Sequence, residues 1–309
     1  MRAGVVGIGA FGRHHAAKYA LMDGVEIAGI ADPCLKARRA AIATHDVAVV
    51  PDWRDLLGAV DLVSVCSPAI THASIVRAFL NAGAHVLVEK PIATRLPEAD
   101  QLVALASVSG RVLTVGHQER FVFARTGMLD YGDVPLFVEC WRLGPWTGRG
   151  VDVSVVLDLM IHDLDLVHRL VPGGVCETEA TGRQVHSRHM DDVSAQIGFE
   201  NGTQVRLSAS RVSNLRRRGM RAVYSDGVIE IDFIARTVRN TTRRLVNPLV
   251  LDDPLGESLA AFVSAARGEA EPFVRPEEAR RALATALRIE DSSVPMALPR
   301  ATGTYAARA

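Results

Sequence analysis

The first 116 residues alternate short β-branched runs with segments of helical periodicity, and the first run passes straight into a glycine turn. The stretches "AGVVGI", "VEIAGIA", "VAVV", "DLVSVCS", "AHVLVE" and "RVLTVG" read as strands, while residues 71–82 and 97–108 carry the apolar spacing of helices. Strands that are apolar throughout need both faces covered, and a parallel sheet with crossover helices provides this. The pattern predicts an α/β, doubly wound first domain over residues 1–118.

Beyond residue 118 the pattern changes. A helix is expected over 119–130, a strand at "PLFVECWRL", a Gly/Pro-rich loop "GPWTGRG", an apolar helix around "DLMIHDLD", and then strands from about 178 to 250. "FENGTQVRLSAS" and "YSDGVIEIDF" hold Asn-Gly and Asp-Gly pairs, which favour two-residue hairpin turns. Residues 119–309 therefore read as an α+β domain with a largely antiparallel sheet. Helices near 255–267 and 276–290 close it, and "ATGTYAARA" reads as a loose tail.

Charge and cysteine usage narrow the function classes. Lys plus Arg equals Asp plus Glu at 35 each, so no global field draws in nucleic acid or an anionic membrane. No run of 18 or more apolar residues offers a membrane span. The opening "MRAGVVGIGAFGRHH" is too short, glycine-rich and interrupted for a secretory signal. Cys34, Cys66, Cys140 and Cys176 are far apart and form no CxxC pair, which argues against a zinc site or a disulfide framework and favours a reduced cytoplasm.

"GIGAFG" places Gly7, Gly9 and Gly12 after the first strand and before the first helix, with Asp32 ending the second strand. In that setting the first glycine permits the tight turn, the second lets backbone approach a pyrophosphate, and the third lets helix and strand pack closely. The free N–H groups and positive dipole end of the helix then meet the phosphates. This is the Rossmann arrangement. Asp32 would accept both ribose hydroxyls and repel a 2′-phosphate, which favours NAD, while the nearby Lys36, Arg38 and Arg39 could tolerate NADP.

Two further segments carry chemistry. In "HVLVEKPIA", Glu89, Lys90 and Pro91 follow the fifth strand, at the sheet edge where ligands bind. In "DLMIHDLD", Asp158, His162, Asp165 and Arg169 fall in a stripe about 60° wide on an otherwise apolar helix. Asp158, four residues before His162, is spaced to accept from one imidazole nitrogen and leave the other for a substrate hydroxyl. Asp165 and Arg169 are expected as a solvated i,i+4 pair.

Together "GIGAFG", "IADP", "SPAITHASIVRAFLNAGAHVLVEKP" and "DLMIHDLD" resemble the glucose-fructose oxidoreductase/inositol dehydrogenase (Gfo/Idh/MocA) family across essentially the whole chain. The resemblance implies a catalytic set of Lys90, Asp158 and His162 and a nicotinamide cofactor against Ala10, Phe11, Ser67, Pro68, His72, Glu89 and Lys90 as well as the glycines and Asp32. It also implies homodimers or homotetramers built on the second domain's sheet. Met160 stands where the family more often has glycine. "GHQERF" and "GPWTGRGVDVSVVLDLMIHDLDL" look more like the UDP-sugar branch, particularly its UDP-N-acetylglucosamine 3-dehydrogenases, which makes His117, Arg120, Trp146 and Arg149 substrate-side candidates. Arg211, Arg216, Arg217, Arg218 and Arg221 are candidate diphosphate ligands, or else a solvated face. The expected reaction is hydride transfer from a sugar carbinol carbon, C3 of a UDP-N-acetylhexosamine in the leading reading. A free sugar or inositol dehydrogenase, a glycosidase that oxidises C3 transiently, and a non-catalytic cofactor sensor remain as alternatives.

Overall fold

The computed structural model describes residues 1–130, 132–248 and 251–295; the expected tail "ATGTYAARA" lies outside them. Six strands form the first sheet: β1 (Arg2–Val6), β2 (Glu26–Ala31), β3 (Val49–Val50), β4 (Leu62–Val65), β5 (His85–Val88) and β6 (Leu113–Val115). Every pairing is parallel, in the order β3-β2-β1-β4-β5-β6. The chain order reverses between β1 and β4, and a crevice opens there at the strands' C-terminal ends. The expected helices are α3 (His72–Asn81) and α4 (Leu96–Ser109), with α1 (Gly12–Tyr19) and α2 (Leu35–Ile42) preceding them. α4 carries a proline in its first turn and ends on Gly110 at φ +62°, where a side chain would be strained.

The segment 119–130 departs from expectation: α5 spans only Glu119–Ala124, with a short 3₁₀ turn at Met128–Asp130. Gly127 at φ +73° lies between the two. The second sheet has eight strands: β7 (Phe137–Leu143), β8 (Val175–Arg183), β9 (Asp192–Phe199), β10 (Gln204–Ser210), β11 (Arg217–Tyr224), β12 (Gly227–Asp232), β13 (Thr237–Asn240) and β14 (Ser293–Pro295). Both hairpins form, but the turns differ from the expected two-residue Asn-Gly and Asp-Gly pairs: β9–β10 turns over three residues, 200–202, with Gly202 at φ +88°, and β11–β12 turns on Ser225-Asp226, with Gly227 already paired to Tyr224. The sheet is mixed, because β7–β10 and β8–β14 pair in parallel.

One face of this sheet is covered by α6 (Ile161–Leu170) and α8 (Pro276–Ser292), which bury Leu164, Leu166, Val167, Leu283 and Ile289. α7 (Pro254–Ala266) departs from the expected division of the chain at residue 118. Its Leu259, Phe262 and Val263 pack with Val5, Ala16 and Tyr19, so this late helix completes the core of the first sheet.

Candidate active site

The glycine turn is built by close approach. Gly7 lies at φ +85°, and a Cβ there would stand 2.8 Å from the Cys66 backbone; a Cβ on Gly12 would stand 1.8 Å from the Gly7 carbonyl. Gly9 meets nothing within 4 Å and leaves open space above the start of α1. That is the cradle a pyrophosphate needs, with the first-turn N–H groups of α1 beneath it. Asp32 accepts from the Ile8 N–H and the Cys34 N–H, each at 2.8 Å, so its carboxylate is fixed at the end of β2 beside the cradle.

A cleft of about 1390 Å³ runs from Asp32 and Gly7 past Phe11, Ser67, His72 and Glu89 to Lys90, Arg149 and Asp158. Gly9, Ala10 and Pro68 also line it. Its size and lining fit a dinucleotide with room for a second molecule at the Lys90 end. His72 closes the floor, its ring nitrogens 2.7 Å from the Pro91 carbonyl and 2.9 Å from the Ser67 carbonyl. Burial lowers its pKa, so the neutral ring donates to one of the two.

Lys90 and Asp158 meet at the far end of the cleft. The Lys90 ammonium donates to Asp158 Oδ1 at 2.8 Å and to the Asp158 carbonyl at 2.7 Å, leaving one N–H for a further acceptor. The spacing argument that paired Asp158 with His162 assumed a regular α-helix. Residues Val156–Met160 instead form a π-helical turn that runs into α6. Within that turn the Asp158 carboxylate is held by Lys90, and His162 Nδ1 makes no hydrogen bond with it. Ser154 caps this segment by accepting from the N–H groups of Val156 at 3.1 Å and Leu157 at 3.3 Å.

His162 Nδ1 is buried and has no hydrogen-bond partner among the described residues. Burial, followed by the positive charges of Arg142 and Lys90, pushes its pKa well below the ordinary histidine value. The ring is therefore neutral near pH 7. The His117 ring lies nearly perpendicular to it, with ring centroids 5.9 Å apart, and is itself buried with both nitrogens unpartnered among the described residues. His117 is buried, whereas His162 is half-buried and its Nε2 is not among the buried unpartnered atoms.

Arg120 does not reach the cleft. It is 2% exposed and donates to Asp165 Oδ2 at 3.0 Å, to the Phe273 carbonyl at 3.2 Å and to Glu278. Asp165 is accordingly buried, and Arg169 pairs with Glu278 at 2.9 Å, so the expected solvated Asp165–Arg169 pair is absent. The side chains that separated them are a buried arginine from α5 and a glutamate from α8, neither predictable from helical spacing.

The arginine cluster is mostly committed elsewhere. Arg211 is buried against Asp191 at 2.8 Å and holds the carbonyls of Gly150 and Val153; Arg218 pairs with Glu119 at 2.7 Å; Arg217 lies over Trp141. Arg149 is the arginine of the 144–153 loop that lines the cleft, and it is exposed there. Trp146 stacks beside His186 with centroids 4.9 Å apart and under Arg211, bracing that loop.

Sequence reasoning missed a buried ion pair beneath the cradle. His15 of α1 is fully buried, its Nε2 3.1 Å from Glu89 and its Nδ1 3.0 Å from Ser64. Burial opposes its charge, but Cys66 and the Glu89 carboxylate outweigh it and raise the pKa to about 10. Burial raises the Cys66 thiol, so Glu89 is the partner that is charged near neutrality. Gln118 Nε2 also donates to Glu89, at 2.8 Å. The "HH" after the glycine turn was the available signal. Trp53 and Arg54, missed as well, line the Asp32 end of the cleft, with the guanidinium 4.6 Å from the indole centroid.

Comparison with known proteins agrees with this geometry. Residues 1–117 match the model described as an oxidoreductase family with an NAD-binding Rossmann fold, and residues 129–230 match the GFO/IDH/MocA C-terminal domain. A UDP-N-acetylglucosamine 3-dehydrogenase of Acidithiobacillus ferrooxidans is 33% identical over 94% of this chain and 96% of its own length. Its solved structure superposes with a TM-score of 0.88, covering 95% of this chain and 97% of that one. An inositol 2-dehydrogenase/D-chiro-inositol 3-dehydrogenase of Halalkalibacterium halodurans is 31% identical over 55% of this chain and 53% of its own. The WlbA dehydrogenase of Bordetella pertussis, solved with NADH and UDP-GlcNAcA, shares the fold at 19% identity and a TM-score of 0.81, covering 94% and 96% of the two chains.

Proposed function

The chain belongs to the Gfo/Idh/MocA family of NAD-binding oxidoreductases, and we propose that it oxidises C3 of a UDP-N-acetylhexosamine. The observation that carries this reading is the Lys90–Asp158 contact at the end of the same cleft as the glycine cradle, with Arg149 exposed beside it. The similarity to the Acidithiobacillus enzyme over almost the full length of both chains supports the nucleotide sugar.

Bound NAD would supply the hydride acceptor; Asp32 would hold the adenosine ribose hydroxyls and disfavour a 2′-phosphate, and the turn at Gly7, Gly9 and Gly12 would take the pyrophosphate. At the other end, Lys90 uses its remaining N–H to hold the reacting hydroxyl oxygen, and Asp158 fixes the ammonium. His162, neutral, takes the hydroxyl proton on Nε2. Arg149 meets the diphosphate, where a guanidinium binds bidentately. Lys90, Asp158 and His162 are thus the proposed catalytic residues.

The protein is read as a cytoplasmic homo-oligomer associating through the second sheet. Its four free cysteines suit a reducing compartment, and the sheet face away from α6 and α8 bears exposed Arg206 and Gln196. No helix among the described residues is long and apolar enough to cross a membrane. The test is NADH formation by the purified protein with UDP-N-acetylglucosamine, N-acetylglucosamine and myo-inositol. Turnover of the nucleotide sugar alone supports the reading, and preference for inositol overturns it.

A further inference from the structure

With Asp158 committed to Lys90, His162 needs another group to decide which of its nitrogens carries the proton. The polar ring beside it is His117. Three imidazole nitrogens, His162 Nδ1 and both nitrogens of His117, are buried at this junction of β6 and α6 with no partner among the described residues. The ring centroids are 5.9 Å apart and the rings nearly perpendicular, at 89°, close enough for one bridging molecule and with no direct hydrogen bond between these nitrogens. A buried nitrogen without a hydrogen bond is unfavourable, and a single water held between polar partners can satisfy two such groups at once.

We propose that His117 is a positioning residue for His162, accepting through one shared water from His162 Nδ1–H and so leaving Nε2 bare toward the substrate. The inference rests on the reading of His162 as the base. Both rings are neutral in this state. His162 faces the cations Arg142 of β7, Arg218 of β11 and Lys90 after β5, which disfavour a second proton on it; His117 faces Asp165, Arg120, Lys90 and Glu89. When Nε2 takes the hydroxyl proton, the Nδ1 proton is the one that can pass to the water and on to His117, so no net charge need remain on His162. No oxidant or co-reactant is involved in that transfer. If the tautomer were reversed, Nε2–H would meet the hydroxyl as a donor and the base would be blocked.

Nuclear magnetic resonance of the full chain labelled with ¹⁵N-histidine tests this without any sugar. Long-range proton–nitrogen correlation reads the tautomer of each ring, and His162→Gln assigns the His162 signals. The expected result at pH 7 is a neutral His162 protonated on Nδ1, moving toward the Nε2–H form in His117→Phe. His117→Phe should also lose about tenfold or more in kcat with NAD affinity unchanged, and His117→Gln, which restores a polar group, should recover part of it. An Nε2–H tautomer in the parent overturns the inference even if His117→Phe does not fold. So does a folded, NAD-binding His117→Phe whose His162 signals match the parent. The expected tautomer response supports it whichever sugar is turned over.

Discussion

Lys90 reaches from the end of β5 to Asp158 in the π-helical turn, with Nζ 2.8 Å from Oδ1 and 2.7 Å from the backbone carbonyl. The contact ties the sheet that carries the glycine cradle to the helix that carries His162. It also costs Asp158 the partner that helical spacing assigned to it.

Replacing Lys90 by Met removes the donor held at the reacting oxygen, while the cradle and Asp32 are untouched. The expected outcome is a kcat lower by about 10²-fold or more with NAD affinity retained. Asp158→Asn keeps the carbonyl acceptor and loses only the charge, so its loss should be smaller. Steady-state kinetics alongside NAD titration by fluorescence checks both.

The pKa of His162 is pushed down by burial, Arg142 and Lys90, so the ring stays unprotonated as pH falls through the ordinary histidine value of about 6.5. The acid limb of kcat/KM should therefore lie below that value. A limb centred at or above it would show that His162 is not the base, or that its surroundings do not depress it.

The His15–Glu89 pair makes a stability prediction of opposite sign. A histidine whose folded pKa is raised to about 10 stabilises the fold fully below its unfolded value, and that contribution fades as pH rises from about 6.5 through 10. His15→Leu leaves the Glu89 carboxylate buried without its cation, and breaking such a pair costs about 3–5 kcal/mol. Urea unfolding of parent and variant across this pH range should show the gap narrowing as pH rises.

Asp32 is anchored by the Ile8 and Cys34 N–H groups and leaves lone pairs for the ribose. Asp32→Ala should weaken NAD and narrow its advantage over NADP, since Arg38 and Lys36 lie nearby on α2. Calorimetric titration with both cofactors reads the ratio, and tighter NADP binding by the parent would contradict the assignment.

Much of the fold was legible because its signals are local. The glycine turn, the apolar strands and the existence of the β9–β10 and β11–β12 hairpins each follow from a few adjacent residues, though both turns differ from the two-residue pairs expected. Lys90 was legible as well, since any residue just after β5 must face the crevice. The pairings were not. Helical spacing joined Asp158 to His162 and Asp165 to Arg169, yet the distant Lys90, Arg120 and Glu278 claimed three of these four. His15 and Glu89 are 74 residues apart, and only the packing of α1 against the first sheet brings them together. The arginines at 211–221 read as one cluster, but strand alternation sends Arg218 to Glu119 and Arg217 onto Trp141. Arg211 precedes β11 and turns inward to Asp191.

The substrate is the centre of the account, and kcat/KM with UDP-N-acetylglucosamine against N-acetylglucosamine, at low and high salt with saturating NAD, tests it most directly. Exposed Arg149 binding a diphosphate predicts a large preference for the nucleotide sugar that shrinks as salt rises, because such contacts are screened. Equal use of the two sugars at every salt concentration would contradict it.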